Sequence, residues 1–132
     1  MNEILQFLND NKPFYIATTE DGVPHLRPFG FSMVYEGKIF FCTSNTKAVF
    51  KQLSANPHCE ICTTAADSSW LRLCGKAVFV DDITAKKKAL EVAPRLVNVY
   101  QTAENPIFEI FYLAEPKAAI SKAGQAPRII EL

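Results

Sequence analysis

Four β-like runs, at residues 14–19, 23–29, 31–35 and 38–43, follow one another with links of only one to three residues. A parallel pair needs a crossover of roughly a dozen residues or more, so these runs must pair antiparallel. Aromatic and β-branched residues fill them, and Glu20-Asp21-Gly22 and Glu36-Gly37 punctuate them as turns. Pro24 and Pro28 remove ladder donors from the second run, which predicts an edge strand or a bulge there. On that run His25, Arg27 and Phe29 share one face and Leu26 the other.

Helical spacing interrupts the β pattern at three places. Ile4, Leu5 and Leu8 predict an opening helix with Asn2 as its cap, ended by Asn11 and Pro13. Val49, Phe50 and Leu53 predict a second helix that stops at Asn56-Pro57. Residues 84–91 predict a third, capped by Thr84, and residues 98–106 read as irregular. Further strands are expected at 58–64, at 70–80 as the longest, at 107–113, at 117–121 and at 128–132, with Gly75 marking a bulge. The 132 residues show no repeat or linker, which implies one domain, residues 1–132.

Fourteen basic residues balance fourteen acidic ones, and mean hydropathy is +0.02. That balance argues against nucleic acid, duplex or single-stranded, and against an anionic membrane surface as partners. No apolar run approaches the roughly 20 residues of a membrane span, and residues 1–11 lack the pattern of a signal peptide; a cytoplasmic protein is expected. Cys42, Cys59, Cys62 and Cys74 sit in strand-like stretches and read as small buried hydrophobes. Cys59 and Cys62 diverge if they share a strand, so no redox or zinc pair is expected, and two histidines predict no metal site.

Three segments are candidates for chemistry: Arg27-Pro28-Phe29-Gly30, Thr43-Ser44-Asn45-Thr46-Lys47, and Trp70-Leu71-Arg72. In the second, a strand gives way to a helix, whose free N–H groups and dipole favour an anion. The Thr43, Ser44 and Thr46 hydroxyls and the Lys47 ammonium add donors, a set suited to phosphate. The same residues also read as an ordinary polar cap with a solvated lysine, and spacing alone leaves both open. Trp70 suits either a barrel end or a planar ligand.

In order, Tyr15-Ile16-Ala17-Thr18, Gly22-Val23-Pro24-His25-Leu26-Arg27-Pro28, Lys38-Ile39-Phe40-Phe41-Cys42-Thr43-Ser44 with Lys47, Leu53 and Asn56-Pro57, and Leu73-Cys74-Gly75-Lys76-Ala77 resemble the pyridoxamine 5'-phosphate oxidase-like family over nearly the whole chain. The resemblance implies a mainly β (α+β) fold, an antiparallel split β-barrel of about six strands with short flanking helices. It also implies a homodimer with FMN at the subunit interface. Arg27 and Lys47 would hold the phosphate, aided by Thr43, Ser44 and Thr46. The Pro28 and Phe29 backbone would follow the ring, with Trp70, Leu71 and Arg72 approaching from the partner subunit. Residues 118–132 carry Lys122 and Arg128 but no histidine, and Ser32 stands near where the oxidases carry a lysine. The resemblance is therefore closer to the small nitroimidazole-reductase-like and general-stress proteins than to enzymes of vitamin B6 oxidation. Since relatives also bind haem or a deazaflavin, the fold alone does not choose the ligand. The implied activity is an FMN-dependent oxidoreductase acting on a small molecule, or else a non-catalytic FMN carrier or sensor. His25 and Tyr100 are the candidate proton donors, and no catalytic residue is assigned.

Overall fold

The computed structural model describes residues 1–132. Its elements are α1 (Asn2–Asp10), β1 (Phe14–Glu20), β2 (Val23–Phe29), β3 (Met33–Tyr35), β4 (Lys38–Ser44), α2 (Ala48–Ala55), β5 (His58–Thr64), β6 (Trp70–Val80), α3 (Ile83–Val92), a 3-10 turn (Pro94–Leu96), α4 (Val97–Tyr100), β7 (Phe108–Ser121) and β8 (Arg128–Ile130). One antiparallel sheet runs in the order β2-β1-β5-β6-β7-β4-β3, with β8 also paired to β7. It holds eight strands rather than six.

Both tight hairpins form where the turn residues demand them. Asp21 and Gly22 take φ of +51° and +77°, and Glu36 and Gly37 take +50° and +73°. Two consecutive positive φ values match the right-handed twist of the flanking strands. The proline-bearing β2 lies at a sheet edge, where missing N–H groups cost no ladder bonds.

Alternation along the strands builds two cores on the two sides of the sheet. Ile39 and Phe41 of β4, with Phe111 of β7, face the barrel interior and meet Phe14, Ile16, Leu71 and Leu73. Their neighbours Phe40, Phe108 and Ile110 face outward, where Ala85, Ala89, Leu96 and Tyr100 cover them. The barrel does not close by hydrogen bonds: no ladder joins edge strands β2 and β3. Phe29 of β2 turns into the interior, its ring 6.3 Å from Phe111 of β7 and 6.5 Å from Phe14 of β1. The fold is thus a split barrel.

Several local expectations are corrected. The separate strands expected at 107–113 and 117–121 are one 14-residue strand, β7, which exceeds the 11-residue β6. Pro116 is tolerated because the ladder already skips there: the β6–β7 register shifts between Cys74 and Lys76, and Glu115 takes φ of +50°. Asp82, not Thr84, caps α3, its Oδ1 accepting from the Thr84 and Ala85 amides at 3.0 and 3.1 Å. Asn2 is already helical, with Met1 at the cap. Residues 98–100 belong to α4. Cys59 is buried and Cys62 exposed, as divergent strand positions require, so Cys62 is not the buried hydrophobe expected; all four thiols are free. No helix is long and apolar enough to cross a membrane.

Candidate functional site

The segment 43–47 turns at the end of β4. Lys47 N–H donates to Ser44 O at 3.1 Å, and α2 starts directly afterwards. No side chain caps α2, so its first amides keep their dipole free for an outside acceptor. Thr46 and Lys47 are exposed. Thr43 Oγ1 is buried and has no hydrogen-bond partner. A buried hydroxyl in that state costs about 1–3 kcal/mol, and it adds one more unmatched donor. The turn contains no carboxylate. Chemically, its exposed donors are able to hold an anion.

Arg27 lies at the same end of the barrel. Phe29, two residues along the same face of β2, packs on Phe111, which pairs with Phe41, two residues before Thr43. The Arg27 guanidinium donates from Nη1 to Thr18 Oγ1 at 2.7 Å and from Nη2 to Gln52 Oε1 at 2.5 Å. Gln52 sits on α2, so Arg27 is braced against the helix whose N-terminus follows the turn. Partial burial lowers the Arg27 pKa from its ordinary value. Its five N–H groups exceed these bonds, which leaves donors for a ligand.

The other expected residues divide. Pro28 and Phe29 end the edge strand β2, where backbone groups on the outer side have no ladder partner. Trp70, Leu71 and Arg72 are not brought to the turn within one chain. Trp70 pairs with Ser121 and Thr43 with Glu109, and at about 3.3 Å per residue those β7 positions are on the order of 40 Å apart along the strand. The Leu71 side chain is fully buried in the barrel core, so it presents no surface to a ligand. Arg72 is exposed on the outer face and doubly bonded to Glu60 Oε1, at 2.9 and 2.7 Å. The Ser44 hydroxyl faces the second core and is bonded to Tyr100 OH at 2.7 Å, not presented to the turn.

Sequence reasoning passed over Gln52, Thr18 and Arg95. Thr18 and Gln52 are joined at 2.5 Å across 34 residues. Arg95 Nη2 donates to Gly30 O at 2.8 Å, beside the end of β2. Burial pushes the Cys42 thiol up to about 12, and the charges of Arg95 and Lys47 act against that rise. A groove of about 630 Å³, lined by His58, Glu60, Lys76 and Lys117 among others, reaches Thr18 but contains no residue of the turn.

The sequence profile of the family described as pyridoxamine 5'-phosphate oxidase matches residues 1–119. Among solved structures, the chain is similar to a NimC/NimA family protein from Clostridium acetobutylicum, with 35% identity over 100% of this chain and 92% of that one, at a TM-score of 0.94. General Stress Protein 26 from Bacillus anthracis shares the fold at 14% identity, 99% and 97% coverage and a TM-score of 0.78. A heme binding protein from Mycobacterium smegmatis shares it at 17% identity, covering 94% of this chain and 54% of that one, with a TM-score of 0.73. Comparison with curated protein sequences returns no match. The matched profile, the 35% identical relative and the split barrel together show that the chain belongs to the pyridoxamine 5'-phosphate oxidase-like family.

Proposed function

We propose that this chain is a cytoplasmic flavoprotein subunit that binds FMN at a homodimer interface and serves as an FMN-dependent oxidoreductase for a small molecule. The observation that carries the reading is the turn 43–47, which holds an exposed lysine and no carboxylate, together with the half-buried Arg27 at the same end of the barrel. Thr43 Oγ1 has no acceptor in the chain and α2 has no side-chain cap, so the donors suit a dianionic phosphate. Lys47, Thr46 and Arg27 bind that phosphate. The free edge of β2 at Pro28 and Phe29 flanks the ring, and Trp70 and Arg72 come from a second copy, since one chain holds them far from its own turn. When bound, FMN supplies the electron transfer, while the protein fixes its position and shields one face.

The test is direct. The purified protein is denatured and the released small molecule identified by mass spectrometry, with the native mass measured in parallel. FMN at one per chain in a dimer supports the reading. A haem or deazaflavin, or a refolded chain that binds FMN no more tightly than riboflavin, overturns it.

A non-catalytic carrier or sensor is favoured by one observation: Tyr100, one of the two candidate proton donors, is buried and already engaged within the fold. Tyr100 OH is bonded to Ser44, and burial raises its pKa. His25 sits on an edge hairpin with Glu20 Oε2 3.8 Å away. Turnover of reduced nicotinamide with quinone or nitroaromatic acceptors, measured against free FMN, separates the two readings.

A further inference from the structure

The turn 43–47 is held from behind by a single stretch of chain, 100–108. Asn45 N–H donates to Ile107 O at 3.0 Å, and its side-chain Nδ2 donates to Pro106 O at 2.8 Å. Ser44 Oγ meets Tyr100 OH at 2.7 Å, buried and across 56 residues of sequence. Tyr100 is itself fixed: it is 4% exposed, and its ring stacks on Phe108 with centroids 4.4 Å apart and planes 22° apart. Asn105 Nδ2 donates to Tyr100 O at 2.8 Å.

The backbone directly after Tyr100 is strained. Gln101 takes φ of +65° and ψ of −58°, and Thr102 N–H donates to Tyr100 O at 2.8 Å. This is a γ-turn of the rare positive-φ type, here without a glycine. Strain of this kind persists only where the surroundings over-determine it, and it gathers at binding sites. At this place it sends the chain back towards Asn45 while Tyr100 stays under Ser44.

We infer that Tyr100 is a positioning residue for mononucleotide phosphate, acting through Ser44 to hold the turn 43–47 in its binding shape. The inference rests on the proposed FMN reading and deepens it. Ser44 gives its carbonyl to Lys47 N–H, so a fixed Ser44 fixes the place where Lys47 leaves the turn. A preformed turn loses less freedom when the phosphate arrives.

The test uses the full-length chain freed of cofactor, titrated with FMN and with riboflavin, which lacks the phosphate. Tyr100→Phe removes one oxygen and keeps the ring on Phe108; Ser44→Ala removes the other partner. Unchanged far-ultraviolet circular dichroism verifies folding. Each variant is expected to weaken FMN about two- to tenfold, the range of one net hydrogen bond, and to leave riboflavin affinity unchanged. The double variant is expected to be no worse than either single one, because the two share one interaction. Unchanged FMN affinity in Tyr100→Phe, equal losses for FMN and riboflavin, or losses that multiply in the double variant overturn the inference. A wild-type chain with no preference for FMN over riboflavin overturns the cofactor reading itself, whereas a normal preference that Tyr100→Phe leaves intact overturns the inference alone.

Discussion

Nη2 of Arg27 and Oε1 of Gln52 lie 2.5 Å apart, joining edge strand β2 to helix α2. The Thr18 hydroxyl donates to the same oxygen at 2.5 Å and accepts from Arg27 Nη1 at 2.7 Å. Gln52 is therefore the acceptor that organises one side of the site. Gln52→Leu leaves a buried hydroxyl and a half-buried guanidinium without their partner, and is expected to destabilise the fold by about 1–3 kcal/mol. Gln52→Glu keeps the acceptor but neutralises Arg27. It also loses the Nε2 donor to Glu20 Oε2, 3.4 Å away, and sets two carboxylates side by side, so it is expected to lower stability as well as to weaken FMN roughly tenfold or more. Urea unfolding and FMN titration read the two effects, and a Glu variant with wild-type FMN affinity removes Arg27 from the site.

Lys47 is exposed and makes no salt bridge, so its removal tests binding with little effect on folding. Lys47→Ala and Arg27→Ala are each expected to weaken FMN by about 1.5–3 kcal/mol, the scale of a hydrogen bond to a charged group. Quenching of flavin fluorescence measures this. Wild-type affinity in both variants would move the phosphate elsewhere.

The four thiols differ in reactivity for a physical reason. Burial pushes Cys42 and Cys59 up to about 12; Cys62 is also raised, by partial burial and by the Glu60 carboxylate, but it is exposed on the outer face, so access sets its lead. The thiolate is the reactive form. Iodoacetamide at pH 8 is expected to label Cys62 well before Cys42 or Cys59, as mapped by peptide mass. Labelling of Cys42 at the rate of Cys62 would contradict the burial described.

The same two thiols set an alkaline limit on stability. Their ordinary pKa is 9.0, and the folded value is about 12. A folded pKa above the unfolded one contributes stability that is whole below pH 9 and lost as pH rises towards 12. Each thiol removes about 1.4 kcal/mol per pH unit inside that window. Tyr100, raised by burial from 10.0, adds the same sign at higher pH. Unfolding free energy measured from pH 7 to 11 is expected to fall from pH 9 onward, and to fall less steeply in Cys42→Ala/Cys59→Ala; parallel curves for the two proteins count against it.

Gly75 sits where β6 and β7 slip past each other. A Cβ there would stand 2.9 Å from Ala114 O and 3.2 Å from Leu113 Cβ. Gly75→Ala is expected to destabilise by about 1–3 kcal/mol through overcrowding, read by thermal or urea unfolding. A neutral substitution would mean that the bulge yields freely.

Local chemistry made much of this legible. Asp21-Gly22 and Glu36-Gly37 announce their hairpins, Pro24 and Pro28 announce an edge, and Arg27 and Lys47 are charges at motif positions. What escaped depends on distant pairing. Gln52 on an amphipathic helix reads as surface until Thr18, 34 residues away, turns out to be its partner. The Ser44 hydroxyl reads as a phosphate donor until Tyr100 claims it. Pro116 reads as a strand end because nothing local says that the ladder is already broken opposite Gly75. Asp82 and Thr84 are both good caps, and only the observed amide bonds choose Asp82.

Strand β7 lies between β6 on one side and both β4 and β8 on the other. It is also made late. While a ribosome is still adding residues 101–107, β4 and β6 are complete yet each has a bare edge awaiting a neighbour not yet synthesised. Such edges are adhesive, and pairings of long sequence separation form slowly. The nascent chain thus has a vulnerable interval that ends only when its last long strand slots between the two halves already waiting for it.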